Sequence, residues 1–354
     1  MSRKEKRLGA IIAELFMIMA LVFSSANLIA DEPDLLFMSD EIIKIELRSD
    51  FTRIIGDRTE FQEYQPAELE YQLKGGNKVT LPVIIKARGN FRLNPDNCSF
   101  PPLMINFENT NTSNTLFANQ GKIKLVTPCR DQENLLEEYV VYKMYNLVTD
   151  MSIRARLARI TYYDTGTNKK LFTRYSFFIE NEDRLAKRID SEIFEKEINA
   201  NKVDRENIKK MSVFQYMIGN TDWNITTIKN IILMQPVKGG DPYAIPYDFD
   251  FSAFVDAGYT INKDVQEDVM SSRRVFRGIC LQLVEYNKIF DMFRKLKPAF
   301  EAEIRRHKAI SDASKEKLIS LLNSFYKEIN NETLKKQIFL SPCQDTTDSS
   351  AKAN

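Results

Sequence analysis

Hydrophobic and polar residues change rhythm repeatedly along this chain, and each rhythm specifies an element. Ile42 to Leu47 and Val79 to Ala87 read as strands, the second rich in the β-branched residues that suit a pleated surface. Pro101-Pro102 leads into a short apolar run ending at Phe107, and the Asn/Thr-rich stretch from Asn109 to Asn119 reads as a loop. From Lys122 to Thr127, Lys122 and Lys124 alternate with Ile123 and Leu125, as in a strand with one polar and one apolar face. The period then lengthens. Leu136, Val140, Met144 and Leu147 recur at helical spacing between Asp131 and Asp150, with Asp131 or Gln132 placed to start the helix. Leu157 to Tyr163 and Leu171 to Ile179 are strand-like again, and the turn Thr165-Gly166-Thr167-Asn168 between them makes a hairpin.

Helical rhythm returns from about Glu182 and from about Asp204 to Ile218, and Asn230 opens the apolar strand Ile231 to Met234. Ala244 to Phe254 reads as a strand with Ile245, Tyr247, Phe249 and Phe251 on one face and Asp248, Asp250 and Ser252 on the other. From about Ser271 to Ile338 the chain is charged and helical in rhythm. These elements predict an α+β protein with two lobes: strand-rich over 31–185, helix-rich over 186–340, with a frayed tail over 341–354. A cleft between such lobes is a common ligand site.

Composition narrows the chemistry. The 354 residues carry 50 Lys and Arg against 49 Asp and Glu, a net charge of +1, so no global field draws in nucleic acid or an anionic membrane. Arg3, Lys4, Lys6 and Arg7 precede a mostly apolar run from Leu8 to Phe23 and then Ser24, Ser25 and Ala26, which reads as a secretory signal over 1–30. Glu14 interrupts that run, and a retained membrane anchor is the alternative; after cleavage no stable membrane span remains. Export to a periplasmic or extracellular setting permits disulfides. Cys98, Cys129, Cys280 and Cys343 form an even set with three possible pairings; Cys98 with Cys129, closest in sequence, is preferred, and buried free thiols are the alternative. No cluster of Cys and His suggests zinc, and the single histidine, His307, stands in a charged run that reads as a solvated helix face.

The remaining chemistry lies in Gly219-Asn220-Thr221-Asp222-Trp223-Asn224, Lys229-Asn230 and Tyr247-Asp248-Phe249-Asp250. An acid in a loop, an amide at the start of a strand and two carboxylates about 7 Å apart along an extended segment are the hard-oxygen donors a magnesium-nucleotide site uses. Read without that chemistry, Asp222 and Asn224 are turn residues and Asp248 and Asp250 a solvated strand face.

These segments resemble the atypical protein-kinase-like families exemplified by the spore-coat kinase CotH, and related secreted proteins of Bacteroidetes-type bacteria. The similarity spans roughly Lys86 to Cys280 and is strongest from Phe214 to Ser252. It implies a divergent bilobal protein-kinase-like fold, ATP with Mg2+ or Mn2+, and transfer of phosphate to a Ser/Thr or glycan hydroxyl of a secreted acceptor. Under it, Asp222 orients the acceptor hydroxyl, and Asp248, Asp250 and Asn230 hold metal. The usual spacing falls on Thr227 rather than Asn230, which leaves Asn224 as a competing ligand. Lys124 is expected to pair with Glu137 or Glu138 of the following helix and face the nucleotide, and Arg88-Gly89-Asn90 to approach its phosphates. Adenylyl or glutamyl transfer on the same fold, or a non-catalytic envelope-binding module, are the competing readings. They part on whether Asp222, Asp248 and Asp250 converge, with Lys124 across the same cleft.

Overall fold

Alternation of apolar residues closes the first half of the chain into a barrel. The computed structural model describes residues 34–57, 59, 61–73, 75–255 and 274–340. The expected signal over 1–30, the tail over 341–354 and Cys343 lie outside them. Strands β1 (Ile43–Ser49), β2 (Gln65–Gln72), β3 (Lys78–Ala87), β4 (Leu103–Asn106), β5 (Lys122–Val126), β6 (Ala155–Asp164) and β7 (Lys169–Ile179) run in the spatial order β1-β2-β3-β4-β5-β7-β6. Parallel pairing of β1 with β6, from Ile43 opposite Ala158 to Ser49 opposite Asp164, completes the circle. Every second residue of β1 turns inward, so Ile43, Ile45 and Leu47 are buried while Lys44 is exposed. They meet Leu69, Val83, Ile105, Ile123 and Phe178 from the other strands. Closure leaves no open edge in this sheet.

The strands expected near 42–47, 79–87 and 122–127, the hairpin and the polar loop before β5 are all present. β2 and the short helix α1 (Phe51–Gly56) carry no comparable signal. In β2, Pro66, Glu68 and Glu70 alternate with Ala67, Leu69 and Tyr71, and pairing on both sides overrides a weak local preference.

Helix α2 (Gln132–Val148) starts where the sequence places it, with Asp131 accepting a hydrogen bond from Glu133 N at 3.0 Å. It belongs to the strand-rich half by sequence but shares its core with the helical half. Leu136, Val140 and Met144 pack in one cluster with barrel residue Phe177 and with Phe293 and Phe325 of later helices. Those are α3 (Glu182–Arg188), α4 (Arg205–Ile218), α5 (Leu283–Arg306), α6 (Asp312–Ile329) and α7 (Glu332–Leu340). A three-stranded sheet, β10-β9-β8, joins β8 (Ser191–Ile193), β9 (Ile231–Pro236) and β10 (Tyr243–Pro246). The fold is therefore α+β, with most strands before most helices. The stretch 274–282 is not helical, although its rhythm suggested it.

Cys98 and Cys129 form a disulfide with their Cα atoms 4.6 Å apart, linking the loop after β3 to the approach to α2. Cys280 is disulfide-bonded too, so the free-thiol alternative falls for the described cysteines. Among the described residues no helix is long and apolar enough to cross a membrane. His307 is not solvated: its side chain is 10% exposed, its Nε2 lies 2.9 Å from Glu303 Oε1 and its ring packs on Tyr139. It is a packing residue, held by Glu303 and Tyr139.

The Cys98–Cys129 link closes a separation of 31 residues. Replacing both by Ser is expected to lower unfolding free energy by about 3–4 kcal/mol, on the loop-closure account. Urea denaturation of the double variant against wild type measures it.

Candidate active site

The loop that carries Asp222 begins at a position only glycine fills well. Gly219 ends α4 in the left-handed region, φ 66, and a Cβ there would stand 2.7 Å from the Ala253 Cβ. That close approach brings two segments together: Ala253 N donates to Gly219 O at 3.2 Å and Phe254 N to Ile218 O at 3.2 Å. Asn220 shapes the next turn by accepting from Asp222 N at 2.9 Å through Oδ1 and from Trp223 Nε1 at 3.2 Å through its carbonyl. Trp223 is buried in the core beneath the small sheet, so it anchors the loop instead of presenting a stacking surface. Asp222 is left facing a cavity.

Asn224 and Asn230 have different duties. Asn224 closes a small loop, exchanging backbone hydrogen bonds with Lys229 at 3.0 and 2.8 Å and accepting from Thr227 N at 2.9 Å. Its side-chain oxygen serves that turn, and Asn224 does not line the cavity that Asp222 and Asn230 share. Asn230, at φ 52, turns into the cavity, and its Nδ2 donates to Asp222 O at 2.8 Å and Oδ2 at 3.0 Å. Lys229 Nζ forms an ion pair with Asp222 Oδ1.

Asp248 and Asp250 do not sit on one face of a strand. β10 stops at Pro246, and Asp248 adopts φ 59, so Tyr247 to Asp250 leaves the sheet as an irregular turn. The alternation of aromatic and polar residues is overridden by one burial. Phe249 is fully buried, with its ring centroid 4.8 Å from Tyr142, 6.2 Å from Phe214 and 6.5 Å from Tyr145. Asp248 N donates to Tyr142 Oη at 2.9 Å, fixing the turn to α2.

The expected lysine–glutamate pair is absent. Lys124 Nζ pairs with Glu182 and lies 5.6 Å from the centre of the Tyr247 ring. The cause is local: Lys124 stands opposite Ile179 at the end of β7, and the chain enters α3 just beyond, placing Glu182 within reach. Glu137 is buried against Lys317 of α6, at 2.5 Å. Glu138 is met by Arg92, whose Nη2 lies 3.4 Å from Glu138 Oε2 and 2.7 Å from Asp250 Oδ2. Sequence reasoning missed Arg92; its one available signal is position, just after Arg88-Gly89-Asn90 in a segment already marked for phosphate approach.

Arg88, Glu138, Asp222, Asn230, Asp248 and Asp250 line one cavity of about 520 Å³, together with Gly89, Arg92, Tyr142, Lys229 and Tyr247. Lys124 and Glu137 do not line it. A second cavity of about 300 Å³ shares Arg92, Glu138 and Asp250 as a common wall. Burial pushes Glu138 up to about 8, helped by Asp250 and Asp248 and opposed by Arg92. Asp248 rises to about 6, from burial and then Asp250, against the pull of Arg92 and Arg88. Burial also holds Arg88 below its usual value, with Asp248 opposing.

This crowding of acid beyond what two guanidinium groups relieve suits an added cation. Among the described residues, no group of three or more His, Cys, Asp or Glu side chains is disposed to hold a metal. Asp248, Asp250 and Asn230 line the same cavity, so an ion there would meet two carboxylates and at most one amide oxygen of these residues.

Two outcomes are expected. Glu138 has its folded value, about 8, above its ordinary 4.5, so the folded state holds that proton more tightly. Its ionisation costs nothing below pH 4.5 and increasingly weakens the fold as pH rises towards about 8. Urea midpoints should fall across that window, and Glu138→Gln should flatten the decline. Gly219→Ala should cost about 1–3 kcal/mol from its left-handed backbone and the Ala253 clash, read from the same denaturation curves.

No protein-family model matches this chain and no curated protein matches it, so its function is read from the cavity itself.

Proposed function

We propose that the cavity is a nucleotide site and that the protein is an exported, CotH-like phosphotransferase with a divergent kinase-like fold. The observation that carries this is the gathering of Asp222, Asn230, Asp248, Asp250 and Arg88 around a single cavity of about 520 Å³. That volume lies within the range of small-molecule and cofactor sites. A strand with Lys124, a helix with buried Glu138, a loop acid after α4 and an acid pair after a small sheet also follow one another as in protein kinases.

The residues divide the work. Asp222, 25% exposed on its side chain, accepts the proton of an incoming hydroxyl. Lys229 and the Asn230 amide hold that carboxylate in one orientation. Asp248 and Asp250, with the Asn230 amide oxygen, would hold Mg2+ or Mn2+, and Arg88 with the Gly89 backbone would meet phosphate oxygens of ATP. When bound, ATP would supply the phosphoryl group and the metal would neutralise its charge, while these residues hold both in position. Phe249 keeps both acids in place from below. The acceptor is a hydroxyl on a secreted protein or a glycan, and the disulfides agree with that setting.

Lys124 on Glu182 and Arg92 on Asp250 favour one second reading, a non-catalytic envelope-binding module on the same frame. Calorimetry separates the two. ATP should bind with Mg2+ or Mn2+ and lose that metal dependence in Asp248→Asn. Asp222→Asn should keep ATP affinity while slowing phosphoryl transfer by about 10²–10⁴. No ATP binding with either metal would overturn the enzyme reading and leave the binding module.

A further inference from the structure

Arg92 holds one carboxylate oxygen of Asp250, a residue the proposed metal site needs. Its Nη2 lies 2.7 Å from Asp250 Oδ2 and 3.4 Å from Glu138 Oε2, and the three side chains are 13%, 5% and 3% exposed. A guanidinium and a divalent cation on one carboxylate repel each other, and weak solvent screening at such burial makes the repulsion strong. In the arrangement seen here, Arg92 therefore competes with metal for Asp250.

The mounting of Arg92 leaves it room to exchange partners. It sits on a single 3-10 turn, Phe91–Leu93, that follows Gly89 at φ 95. Arg92, Glu138 and Asp250 together form the partition between the cavities of about 520 and 300 Å³, so there is space on both sides of the guanidinium.

We propose that Arg92 is a latch that closes the cation site until a nucleoside triphosphate arrives. This rests on the nucleotide reading of the cavity and adds an order of events to it. Phosphate oxygens match the guanidinium fork and draw Arg92 away from Asp250, while Glu138 keeps the side chain at the wall. Asp250, released, joins Asp248 in holding the divalent cation. Metal alone then binds weakly, nucleotide strengthens metal binding, and metal strengthens nucleotide binding by the same factor.

Calorimetric titration with Mn2+ alone, and with Mn2+ in the presence of ATP, tests this on wild type, Arg92→Met and Arg92→Lys. Mn2+ alone should bind Arg92→Met about tenfold more tightly than wild type, ATP should bind it about tenfold more weakly, and the coupling between the two should shrink. Arg92→Lys keeps a positive charge between the buried acids and guards against loss of the fold. One nitrogen, Nη2, meets both acids in wild type, so the lysine ammonium should keep Mn2+ affinity close to wild type, while ATP, without the guanidinium fork for its phosphates, should bind more weakly. Equal Mn2+ affinity in all three proteins, with wild type still binding ATP in the presence of Mn2+, overturns the latch and leaves the nucleotide reading standing. If wild type shows no Mn2+-dependent ATP binding, the nucleotide reading fails and the latch with it.

Discussion

Everything at this site depends on the burial of one ring. Phe249 lies in a socket made by Tyr142 and Tyr145 of α2 and Phe214 of α4, and its neighbours on either side are the two acids. Burying an aromatic side chain is worth several kcal/mol, enough to hold carboxylates where desolvation opposes them. The same ring joins the halves of the molecule, because α2 packs against both the barrel and the later helices. The geometry of the acids is thus set by hydrophobic packing, and the charges adapt to it.

That adaptation is visible in the partners each charge has found. Glu138 and Asp250 share Arg92, Asp222 has Lys229 and the Asn230 amide, Glu137 has Lys317, and Lys124 has Glu182. A buried ion pair contributes little net stability but is costly to break from one side, since it leaves an uncompensated charge. The arrangement around the cavity is accordingly well defined without being a main source of stability, which comes from the barrel interior and the aromatic core.

The elements were legible where one physical signal dominated. Period-two burial exposed β1, β3 and β5, an Asp cap and period-3.6 burial exposed α2, and a Gly-containing turn exposed the β6–β7 hairpin. The candidate site was legible in part as a set of residues, since Arg88, Glu138, Asp222, Asn230, Asp248 and Asp250 line one cavity while Lys124 and Glu137 do not. Their wiring was not. The strand assigned through Asp248 ignored that a single left-handed residue rotates the chain off the sheet, and nothing local announces that at an aspartate. The Lys124 pairing failed because a partner is chosen by three-dimensional proximity, and Glu182 enters through a neighbouring strand. Arg92 escaped notice because a lone arginine in a loop carries no pattern.

The closing seam of the barrel has a consequence for how the molecule is made. β1 and β6 pair in parallel although two α-helices and four strands separate them along the chain. β1 has only β2 to lean on until β6 exists, and such non-local pairing is slow because a long loop must close before it is rewarded. The barrel core, and with it the platform for α2, therefore matures late.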